Sequence, residues 1–155
     1  CEFGTNRMAT VDPKTLALKE YDLPNTTTRP RRMALTSDGM VWYVDYTRGY
    51  LGRLDPKSGK IKEWANPSGV PSLPYATTVD DQDRIWFVET GVKPNLLVGF
   101  DPKTETFFSK TPVLPSGGGT IRHMVYDTAT RTIWFGTDTN MLGKAVIPKS
   151  SEMDP

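Results

Sequence analysis

The chain has 155 residues, 37% hydrophobic and 24% charged, with a net charge of +1. That length supports one ordinary core, and so small a charge supplies no broad field to draw in nucleic acid or an anionic membrane. Thirteen Pro and thirteen Gly argue against a helical bundle, and the only cysteine, Cys1, rules out a disulfide framework within the chain or a thiolate metal cluster.

Residues 1–6 read as a tail without structural weight, and no apolar run reaches the ~18 residues that a membrane-spanning helix needs. The compartment stays open. The first predicted elements are strands over 7–11 and 16–21, flanking Asp12-Pro13-Lys14. Four strands follow over 32–35, 40–45, 51–54 and 60–64, and four more over 75–79, 84–89, 96–100 and 106–110. A last set covers 121–126, 132–137 and 141–147, and residues 149–155 read as a second tail. Each strand is a short β-branched or aromatic run bounded by turn residues, and no stretch keeps a 3.6-residue apolar period.

These elements repeat. Asp-Pro-Lys begins at Asp12, Asp55 and Asp101, 43 and 46 residues apart, and a β-branched residue precedes Trp42, Trp86 and Trp134. Leu51–Leu54, Leu97–Phe100 and Leu142–Ala145 form a third marker in the same order. A period of about 45 residues with four short strands per unit predicts an all-β propeller of four-stranded antiparallel blades, about three per chain. The units fall at 29–64, 73–110 and 120–147, with the strands of 7–21 supplying the outer half of another, so that 7–148 forms a partial propeller. Two complete and two partial units do not close a ring. The expectation is therefore either a longer chain or a homodimer that closes six or seven blades, the second being favoured.

The run Arg-Pro-x-x-Met-Ala, then Asp-Gly-x-Val-Trp-Tyr-Val-Asp, then Leu-Gly-Arg-Leu-Asp-Pro-Lys-Ser-Gly occupies residues 29–59. It resembles a blade of the virginiamycin B lyase (streptogramin lyase) family, as do Leu73-Pro74-Tyr75 with Arg84–Glu89, and Ile121–Met124 with Ile133–Asp138. The resemblance covers nearly all of 7–148. It implies a bacterial propeller about half the family's length, with a ligand site at one mouth of the central channel. It further implies elimination at the ester bond of a cyclic depsipeptide, using a His base and a Mg²⁺ held by acids.

Carried over residue by residue, the family's metal-side acids match Glu89 and Asp45, and its catalytic His matches Tyr75, Arg31 and Arg122 in successive blades. The only histidine, His123, lies one residue later, and Thr137 stands where the last acid belongs, so the catalytic set is incomplete. His123, helped by Tyr75, is the candidate base. Arg31, Arg32 and Arg122 are candidate ligand cations, with salt bridges between blades as the plainer alternative. Binding of a small polar ligand or partner at the mouth is the first functional expectation. Mg²⁺-dependent opening of a cyclic ester is the second, and a calcium-dependent lactonase on a six-bladed ring is the third.

Overall fold

The computed structural model describes residues 1–149, and the strand order follows the repeat. β1 (Arg7–Val11) and β2 (Leu18–Asp22) form a hairpin. Blade I contains β3 (Pro30–Leu35), β4 (Val41–Asp45), β5 (Tyr50–Leu54) and β6 (Ile61–Ala65). Blade II contains β7 (Pro74–Val79), β8 (Ile85–Glu89), β9 (Leu96–Asp101) and β10 (Thr106–Pro112). Blade III contains β11 (Met124–Asp127), β12 (Thr132–Gly136) and β13 (Leu142–Val146). Every pairing is antiparallel between consecutive strands. A 3₁₀ turn, Val70–Ser72, carries the chain from blade I to blade II.

Turn chemistry fixes the hairpins. The Asp12 carboxylate accepts the N–H groups of Lys14 and Thr15, Asp55 accepts Lys57, and Asp101 accepts Lys103. Those bonds hold the Asp12 carboxyl below its ordinary range, and the Ser58 hydroxyl first, then the Lys57 N–H, do the same for Asp55. Four residues past each Asp, the backbone turns left-handed at Leu16, Gly59 and Glu105. Only one of the three is the glycine that this conformation favours, so the Asx bonds impose the turn even on Leu and Glu.

The core lies between blades. Trp42, Val44 and Leu51 of blade I pack on Ile85, Phe87, Val98 and Phe100 of blade II. Trp86, Val88 and Leu97 of blade II pack on Met124, Ile133 and Phe135 of blade III. Met8, Tyr21 and Leu23 cover Tyr43 and Leu54 on the other side of blade I. The indole N–H groups of Trp42 and Trp86 are bonded to Thr36 and Asp80 in the preceding turns, so neither is stranded in the core. β7 lies against both β3 and β11, which places the first strand of each blade on the inside of the arc. The architecture is a β-propeller arc.

Three details set the site. Two residues of β3, Arg31 and Arg32, stand between the pairs Pro30↔Asp45 and Met33↔Tyr43, where β4 supplies one. Blade II repeats this bulge at Tyr75 and Ala76, between Pro74↔Glu89 and Thr77↔Phe87. In blade III the expected strand over 121–126 starts only at Met124. There β12 ends at Gly136, because the N–H and hydroxyl of Thr137 turn to the Met141 carbonyl, and no acid continues the ladder. Residues 1–6, read from sequence as a tail, fold back through a Glu2↔Arg7 bridge. Of the second tail, residues 150–155 lie outside the described residues.

Candidate functional site

The bulges gather side chains from different blades at the end of the inner strands. The Arg31 guanidinium lies 4.0 Å from the Phe3 ring, 4.3 Å from Tyr75 and 5.3 Å from Tyr46. Its Nη2 donates to the Tyr75 hydroxyl at 2.8 Å. Its Nε is buried and has no hydrogen-bond partner among the described residues. Tyr46 meets the Tyr75 ring edge-on at 6.1 Å and Phe3 at 5.9 Å, so the three rings wall in one cation. Arg32 lies 5.2 Å from the Tyr75 ring.

Arg122 reaches the same neighbourhood from blade III. It pairs with Asp138, and that bond first, then the Asp138 charge, raises its pKa, with smaller contributions from Tyr75 and Tyr46. Arg31, Arg32 and Tyr75 are thus brought together, and Arg122 holds the equivalent position in blade III. His123, next to Arg122, is exposed, lies before β11, and makes no hydrogen bond among the described residues. Strand register places it level with Arg32 and Ala76, one step from the position shared by Arg31, Tyr75 and Arg122.

The two acids stand at equivalent ends of β4 and β8, and both are fully buried. Asp45 Oδ1 accepts the N–H groups of Arg29 (3.0 Å), Thr47 (3.2 Å) and Arg48 (3.3 Å). Its Oδ2 takes Arg48 Nη1 at 3.3 Å, and Arg48 also holds both oxygens of Glu63 at 3.1 Å. Glu89 accepts the Ser68 N–H at 3.1 Å with one oxygen and the Ser68 hydroxyl with the other. These carboxylates anchor loops: Asp45 the one after its own strand, Glu89 the connection between blades I and II.

A Mg²⁺ ion does not fit this donor set. Every carboxylate oxygen of Asp45 and Glu89 is engaged, and Arg48 places a positive charge beside Asp45. Among the described residues, no three His, Cys, Asp or Glu side chains converge as ligands.

Sequence reasoning missed Phe3 and Tyr46, and it weighed Asp138 only as a possible cation ligand, not as the partner of Arg122. Tyr46 directly follows the acid that closes strand β4, but blade II has Thr90 there, so no periodicity marks it. Phe3 precedes the first repeat marker and carried no signal.

No family model matches the sequence, and no curated protein does. Solved structures match well. Virginiamycin B lyase from Staphylococcus aureus superposes with a TM-score of 0.74 at 22% identity, over 98% of this chain and 52% of that one. The chain has the fold of that lyase. A catalytically inactive variant of the lyase with quinupristin also matches, with a TM-score of 0.74 at 22% identity over 94% of this chain and 50% of that one. YCF48 bound to a D1 peptide matches with a TM-score of 0.71 at 14% identity, over 92% of this chain and 44% of that one. The chain spans about half the length of these structures, and at such identities the likeness to virginiamycin B lyase is one of fold.

Proposed function

We propose that this propeller binds a small anionic ligand, a carboxylate or phosphate attached to a flat ring, at the mouth of its channel. The observation behind this reading is Arg31, held between Phe3 and Tyr75 with its buried Nε unpaired. An unpaired buried donor costs about 1–3 kcal/mol, which an acceptor on a ligand recovers. The cage fixes the guanidinium before binding, so little side-chain entropy remains to be lost, and its rings offer stacking surfaces for a flat group. Arg32 and Arg122 add positive charge nearby. In the solved structures, one lyase variant is seen with quinupristin and YCF48 with a peptide, and both share this fold.

Lyase chemistry is the weaker reading for these residues. The positions corresponding to the family's base hold Arg31, Tyr75 and Arg122, and the acids are committed to loops. Phenyl phosphate is a suitable probe, titrated calorimetrically to about 10 mM. Saturable binding is expected, weakened at least tenfold in Arg31→Met and unchanged in Arg53→Met. No saturation, or equal binding by Arg31→Met, would overturn the proposal. A streptogramin B incubated with Mg²⁺ is expected to keep its ring closed, and ring opening that disappears in His123→Ala would restore the lyase reading.

A further inference from the structure

One repeat position is buried twice and exposed once. Leu51 pairs with Val44 and Leu97 with Val88, each two residues beyond the blade's tryptophan, and Leu142 pairs with Gly136 in the same place. Leu51 and Leu97 are 0% and 4% exposed, whereas Leu142 is 74% exposed. Ala34, opposite Trp42, is buried, while Val125, opposite Trp134, is 56% exposed. Trp42 and Trp86 are buried but Trp134 only partly so. Among the described residues, blade III therefore leaves open the face that blades I and II bury.

The two buried examples show what covers such a face. In each it is the opposite face of another blade, carrying Ile85, Phe87 and Phe100 in one case and Ile133 and Phe135 in the other. The chain's other extremity offers a face of that second kind. Val11 precedes Asp12-Pro13-Lys14 as Leu54 and Phe100 precede theirs, yet Val11 is 57% exposed while Leu54 and Phe100 are buried. Leu18, paired with Val11, is exposed as well, as are Met33 and Leu35 on the same side of blade I.

Charge is complementary. Lys144 pairs with Trp134 on the open face of blade III, whereas the hairpin's outer face carries Glu20 and Asp22 against Arg7. A comparable contact already joins blades I and II, where Lys62 reaches Glu105.

We infer that the Trp134 face of one copy docks on the β1–β2 face of a second copy, head to tail. The contact is heterologous: each copy uses one end as donor and the other as acceptor, so pairs close or chains grow. This proposal is independent of the ligand site.

The test is sedimentation velocity on the whole chain between about 1 and 200 µM. Wild type is expected to exceed the monomer mass, increasingly with concentration. Leu142→Glu and Val11→Glu, both at exposed positions, are each expected to remain monomeric with unchanged circular dichroism. Mixing the two variants is expected to restore a dimer and nothing larger, because one intact donor face then meets one intact acceptor face. A wild type that stays monomeric throughout overturns the inference. So does association that survives either substitution, and so does failure of the mixture to pair.

Discussion

Replacing Asp45 separates an anchoring carboxylate from a metal ligand. In Asp45→Ala three backbone N–H groups lose their acceptor, those of Arg29 at 3.0 Å, Thr47 at 3.2 Å and Arg48 at 3.3 Å. Thr47 is exposed and water can replace its bond, so the full desolvation penalty of about 1–3 kcal/mol falls on the remaining donors. Arg48 loses one partner but keeps Glu63, so no charge is stranded. The sum for the two remaining donors is about 2–6 kcal/mol. Asp45→Asn retains an acceptor at Oδ1 for the backbone N–H groups but loses the charge and the Oδ2 acceptor toward Arg48, costing about 1–2 kcal/mol. Urea unfolding followed by tryptophan fluorescence reads the difference: with a slope of about 1.5 kcal/mol/M, Asp45→Ala moves the midpoint by about 1–4 M. Stability of Asp45→Ala within about 1 kcal/mol of wild type would refute the anchoring account. So would equal losses in the two variants, or a wild-type midpoint that rises with added Mg²⁺.

Two further outcomes follow from blade I. A Cβ added at Gly52 would overlap the Tyr43 ring, which is fully buried and donates its hydroxyl to Glu63 at 2.9 Å. Gly52→Ala is therefore expected to cost about 2–4 kcal/mol through overpacking and a weakened hydrogen bond, and a thermal midpoint equal to wild type would contradict it. Burial first, and then the Glu63 carboxylate, push the Tyr43 phenol well above its ordinary value of 10.0. The folded state thus keeps a proton that the unfolded chain releases, so this contribution to stability is intact below pH 10 and is lost progressively above it. Alkaline absorbance titration should show a phenol that ionises only on unfolding, and Tyr43→Phe should remove it. Complete titration of the folded wild type would count against the burial argument.

The sequence announced the blades because their signals are local. Asp-Pro-Lys carries its own turn bonds, and each tryptophan sits in a short apolar run whose period needs no distant partner. The equivalence of Arg31, Tyr75 and Arg122, and that of Asp45, Glu89 and Thr137, was also legible, because spacing within a repeat preserves register. What Asp45 and Glu89 bind was not. Their partners, Arg29 and Ser68, lie in connecting loops that share no pattern between blades. The cage around Arg31 needs Phe3 from outside the repeat, and only folding brings the two together.

The bulges at Arg31–Arg32 and Tyr75–Ala76 separate two tasks that share one strand. Pairing resumes at Met33 and Thr77 although the bulged residues differ completely in size, charge and polarity. The neighbouring ladder is indifferent to their identity, so the exposed Arg32 is free to be exchanged, whereas Ala76 is buried in the core between blades II and III and Tyr75 is bonded to Arg31. A grafted acid, histidine or aromatic at the exposed position 32 would alter the chemistry at the rim while leaving the scaffold unaware of the change. Variation can therefore accumulate at the rim of this propeller at little structural risk.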